Sequence, residues 1–96
     1  MRRDGARLVI SGPVTLANVG AVLAEGSSQL RQGARTLDLS EVTEIDSSLL
    51  AAMLSWMREA RRQQTEIEFA NLPEGLATIA RLYGVDGLLP ASGARH

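Results

Sequence analysis

The segment Leu37-Asp38-Leu39-Ser40-Glu41-Val42-Thr43-Glu44-Ile45-Asp46-Ser47-Ser48 gathers nearly all the side chains of this chain that could do chemistry. Its four carboxylates, Asp38, Glu41, Glu44 and Asp46, are of the type that holds a divalent cation or exchanges protons. They read more simply as the solvated acids of a strand end and its loop. The Asp46-Ser47-Ser48 turn has three readings. Its oxygens can cap the helix that follows, a contribution of about 1 kcal/mol. A serine there can accept a phosphate, which the helix dipole would favour and the neighbouring acids oppose. An unmodified small hydroxyl can let a partner pack onto the helix start. Other chemistry is poorly supplied. The sole histidine is the last residue, His96, and there is neither cysteine nor lysine. No Ser-His or Cys-His pair, Schiff base, phosphate-loop lysine or His/Cys metal cluster can be built. The chain is therefore read as a non-enzyme, with no catalytic residue, cofactor or metal.

The elements that position this turn follow from periodicity. Arg7–Ser11 reads as a short strand broken by Gly12-Pro13. Thr15 can cap a helix from about Leu16 to Leu30, with Leu16, Val19, Val22, Leu23 and Leu30 as its apolar stripe; Gly20 and Gly26 weaken it, and Gly33 ends the region. Ala34–Leu39 alternates as a second strand, with Leu37 and Leu39 on one face and Thr36 and Asp38 on the other. A helix over about Ser47–Gln63 and a strand at Thr65–Ala70 come next. Pro73 suits the first turn of a last helix running to about Tyr83, with Leu76, Ile79, Ala80 and Tyr83 facing inward and Gly84 as its stop. Strands alternating with helices predict one α/β domain over residues 1–96 with a partly parallel sheet. Its core spans about residues 7–90, with loose termini at Met1–Gly5 and Ala91–His96.

At about 100° per residue, Leu49, Leu50, Met53, Trp56, Met57 and Ala60 fall in one arc of the Ser47–Gln63 helix and predict its buried face. The opposite face carries Ser47, Ala51, Ser55, Arg58 and Arg62: small side chains first, guanidinium groups after. Small residues let another surface approach closely and Arg often anchors interfaces, although a solvated face has the same composition.

Composition bounds the rest. The 96 residues are 45% hydrophobic and 22% charged, with a net charge of −1, which fits a globular domain and argues against a general nucleic-acid binder. The longest apolar run, Leu49–Leu54, cannot span a bilayer, and Leu8-Val9-Ile10 is too short for the core of a signal peptide. A cytoplasmic location without direct membrane insertion is expected.

The pattern Leu-Asp-Leu-Ser-x-Val-x-x-Ile-Asp-Ser-Ser, running from Leu37 straight into an apolar helix, resembles the STAS domain family, which includes bacterial anti-sigma-factor antagonists and regulatory parts of transporters. The resemblance covers about Arg7 to Pro90 and implies a small mixed sheet with helices packed on one side. The segment Thr78–Pro90 is similar to the tail of the MlaB-type STAS subunits of phospholipid-transport ABC complexes in Gram-negative inner membranes. That similarity implies a non-catalytic subunit, peripheral to the inner membrane, that docks on the ATPase and supports assembly, activity and thereby outer-membrane lipid asymmetry. It implies a partner-binding surface of Ser47, Ser48, Ala51, Ser55, Arg58 and Arg62. Ser47, the hydroxyl directly after the Asp, carries over most specifically, and Arg58 and Arg62 by position alone. The antagonist branch implies the alternative, a serine kinase or anti-sigma factor as partner and Ser48 as phosphoacceptor. Antagonists usually place Gly after this serine; a bulky Leu49 there is expected to crowd a kinase loop.

Overall fold

A β-hairpin followed by alternating helices and strands, five strands and three helices in all, makes up the computed structural model, which describes residues 1–85, 87 and 91–92. The order is β1 (Arg2–Asp4), β2 (Arg7–Val14), α1 (Val19–Arg31), β3 (Thr36–Ile45), α2 (Ser47–Arg62), β4 (Glu68–Ala70), α3 (Leu76–Leu82) and β5 (Ala91–Ser92). The sheet order is β1-β2-β3-β4-β5; β1 runs antiparallel to β2 and the other neighbours are parallel. The result is a mixed α/β sheet.

The period-two pattern decides which face is covered. Leu8, Leu37 and Phe69 are aligned across β2, β3 and β4, and with Ile10 and Leu39 they bury against the helices. All three helices join that one apolar cluster: α1 through Leu30, α2 through Leu49, Leu50, Ala52, Met53, Trp56 and Ala60, and α3 through Leu76 and Ala80. The other face of the sheet carries Val9, Asp38 and Ala70 in register and, among the described residues, no helix. The arc drawn for the long helix is therefore correct in orientation, with Met53 and Trp56 fully buried and Met57 half-buried. Trp56 also donates its indole N–H to the Leu23 carbonyl of α1 at 3.1 Å. Gly26 permits that contact, because a Cβ there would lie 2.5 Å from the indole ring. A glycine that weakens an isolated helix is thus required by packing.

Several boundaries differ from expectation. Met1–Gly5 does not form a loose end: Arg2–Asp4 pairs with Leu8 and its neighbours around a turn at Gly5, φ 62. Gly12-Pro13 does not end β2. The strand passes through it with register shifts, Gly12 at φ 81, and a bulge tolerates the missing N–H of Pro13. β3 extends to Ile45, so Glu41 and Glu44, expected in a loop, are on a strand. β4 is shorter than Thr65–Ala70, since Thr65 still closes the end of α2 through its N–H to the Ala60 carbonyl.

The first helix starts at Val19 rather than Leu16. Asn18 holds the preceding loop, accepting from the Thr15 N–H at 2.9 Å and donating to the Pro13 carbonyl at 2.8 Å, and Leu16 is left 79% exposed instead of joining the stripe. Gly75, at φ 90, separates the Pro73-Glu74 turn from α3, and Tyr83 lies past the helix end, 63% exposed rather than inward. Of the C-terminal segment expected to be loose, Ala91–Ser92 pairs with β4, and residues 93–96 lie outside the described residues, as do 86 and 88–90 of the family-like tail.

Candidate functional site

The turn between β3 and α2 is built by one side chain. Asp46 is in extended backbone and occupies the N-cap of α2, accepting from the Ser48 N–H through Oδ1 at 2.8 Å. Its Oδ2 accepts from the Leu16 N–H at 3.0 Å, across from the β2–α1 loop. The two backbone donors, Leu16 first and Ser48 second, hold this carboxyl below its ordinary range. A charged N-cap of this kind satisfies helix N–H groups that nothing else in the helix can reach. It also ties Leu16 to the residue immediately before Ser47. Capping is thus a role the geometry gives to Asp46, and it leaves the Ser47 hydroxyl outside the cap.

From there the exposed face of α2 runs as its sequence spacing requires. Ser47 and Ala51 are exposed, Ser55 is half-buried, and Arg58 and Arg62 are exposed. Ser48 is half-buried, on the flank of the stripe. Arg62 pairs with Glu59 at 3.1 Å, whereas Arg58 forms no ion pair among the described residues. Leu49 is fully buried. It packs in the core cluster, so its bulk is not at the surface beside Ser48.

The four carboxylates do not converge. Asp38 lies on the helix-free face, 8% exposed, and accepts from Arg7 Nη1 at 2.8 Å, Asn71 Nδ2 at 3.0 Å and the Ser40 N–H at 2.9 Å. Burial opposes its ionisation, yet the hydrogen bonds from Asn71, Ser40 and Arg7 outweigh that and lower the carboxyl to about 2. Asp38 is therefore a structural tie between β2, β3 and the end of β4, not a solvated loop acid. Glu41 forms a two-pronged pair with Arg2, both contacts at 2.9 Å, which holds it below its usual range. Glu44 is exposed. Among the described residues no group of three or more His, Cys, Asp or Glu converges as a metal site, and no helix is long and apolar enough to cross a membrane.

One member of this surface escaped the sequence reading. Periodicity places Leu16 in the core stripe of the first helix, but its side chain is exposed and its backbone is fixed beside the Ser47 turn. The signal that separates the two assignments is Asn18, a residue type that favours the helix boundary more strongly than Thr15 does.

Residues 1–90 match the protein family described as "Mlab, STAS domain". Among solved structures, the chain is similar to the anti-sigma factor antagonist SpoIIAA in its unphosphorylated form, with a TM-score of 0.65 and 19% identity over 90% of this chain and 77% of that one. At that identity the likeness speaks for the fold. No curated protein sequence matches the chain.

Proposed function

The chain belongs to the MlaB-type STAS domain family, and we propose that it is a non-catalytic subunit that docks on the cytoplasmic ATPase of a phospholipid-transport ABC complex. In this reading it supports assembly and activity of the transporter and acts through surface contact alone. The observation that carries the reading is the uncluttered stripe at the start of α2. Ser47 and Ala51 are small and exposed, the turn before them is locked by Asp46, and an exposed leucine stands beside it. A pre-ordered backbone with small side chains costs little to desolvate and lets a partner approach closely. Leu16 supplies the apolar anchor, and Arg58 and Arg62 supply charge farther along the same helix.

A second reading has its own support. Leu49 is buried rather than standing beside the half-buried Ser48 at the surface, and the fold is like that of an anti-sigma factor antagonist. In that reading a serine kinase phosphorylates Ser48, and the added charge beside the Asp46 carboxylate alters binding to the kinase or anti-sigma factor. Purification of the tagged chain from native membranes separates the two. The docking reading expects an ATPase and a permease to be retained. Recovery of a soluble serine kinase, without those subunits, would support the antagonist reading instead.

A further inference from the structure

Strand β3 outruns the strand beside it. Its pairing with β4 ends at Asp38 opposite Ala70, while β3 itself continues along β2 to Ile45. From Leu39 to Ile45 it has β2 on one flank and, among the described residues, no strand on the other. The chain leaves the sheet here because Asn71 adopts the left-handed φ of 57, and its side chain is anchored on Asp38. That turn opens a cleft of about 700 Å³ between the free flank of β3 and the segment Asn71–Glu74. Seven strand residues at about 3.3 Å each give a flank of roughly 23 Å, long enough for a short added strand. The Ser40 N–H is already held by Asp38; beyond it, a strand flank without a neighbour presents N–H and C=O groups that an extended peptide can pair with.

The cleft's charge selects the occupant. Glu44 and Glu74 are its charged lining residues, and neither has an ion partner among the described residues. A second copy adding its own free flank would bring the same acids against each other, which disfavours self-pairing. We propose that the cleft takes an extended, basic segment of a partner protein as an added strand along Leu39–Ile45, with Glu44 and Glu74 pairing with its arginine or lysine side chains. This contact combines main-chain pairing with those two ion pairs and does not involve the Ser47 surface.

The test is a titration of the isotope-labelled protein with a capped seven-residue peptide of alternating Arg and Val, and separately with its Glu-for-Arg counterpart, followed by amide shifts and hydrogen exchange. The basic peptide is expected to shift and protect amides within residues 39–45, to weaken with added salt, and to outbind the acidic peptide. The Glu44→Arg, Glu74→Arg double variant is expected to lose about tenfold in affinity, the equivalent of two exposed ion pairs. Should that variant misfold, the salt dependence and the acidic peptide still decide the matter. Silence of residues 39–45, equal binding of the two peptides, perturbation confined to another edge, or self-association through this flank would overturn the proposal.

Discussion

Replacing Asp38 by Asn tests whether the helix-free face holds the sheet together as described. The carboxylate accepts three donors from three segments: Arg7 on β2, Ser40 on β3 and Asn71 after β4. An asparagine can accept at one oxygen only, so its own NH2 must face one of those donors. The lowering of the carboxyl from 3.8 to about 2 corresponds to about 2 kcal/mol at neutral pH. The Arg7 share is the smaller part, because that side chain is 44% exposed and screened by water. For a domain of this size, about 2 kcal/mol translates to a melting temperature lower by roughly 8–16 °C. The folded carboxyl is depressed, so its stabilisation is present at neutral pH and is lost as pH falls from about 4 through about 2. Urea unfolding of wild type and Asp38→Asn at pH 7, 5 and 3 gives the difference directly. It should be constant from pH 7 to 5 and shrink by roughly half near pH 3. A difference below about 0.5 kcal/mol at pH 7, or one that does not shrink on acidification, refutes the reasoning.

Other variants probe packing and surface separately. Gly26→Ala should lower stability by about 1–3 kcal/mol through collision with the fixed Trp56 ring, despite the better helix propensity of alanine, while Gly20→Ala, into open space, should not. Met53→Asp should destabilise by about 4 kcal/mol or more, because an unpaired charge enters a fully buried site; an unchanged melting temperature would mean the orientation of α2 is wrong. Leu16→Asp should melt like wild type, since the side chain is exposed, and should lower retention of the ATPase in pull-downs.

The turn at Asp46-Ser47 and the faces of α2 were legible in the sequence because they follow from local chemistry. A capping acid sits before a helix whose apolar residues recur at the helical period. The parts that were not legible depend on distant partners. Arg2-Arg3-Asp4 has no apolar alternation and becomes a strand only because β2 lies beside it. Ser40–Glu44 has Val42 as its one apolar residue, too little alternation to announce a strand, and is ordered by pairing with the bulged end of β2. The burial of Asp38 requires Asn71, 33 residues away. The exposure of Leu16 turned on which of two good capping residues, Thr15 or Asn18, marks the helix boundary, a choice made by contacts of Asn18 with the preceding loop. The candidate surface was thus legible along α2 and incomplete where a second loop meets it.

The most direct test of the docking account is binding of the ATPase to folded variants at Ser47. The cap is carried by Asp46, so the Ser47 side chain can change without removing it. Ser47→Ala should bind and melt nearly as wild type. Ser47→Arg should keep its circular dichroism spectrum and melting temperature while adding bulk and charge where the partner packs, and its affinity should fall far more than its stability. Co-purified complex and a titration with the isolated ATPase subunit report this together. Binding of Ser47→Arg at wild-type affinity would contradict the account, and disruption by Ser48→Asp alone would point to the phosphorylated antagonist instead.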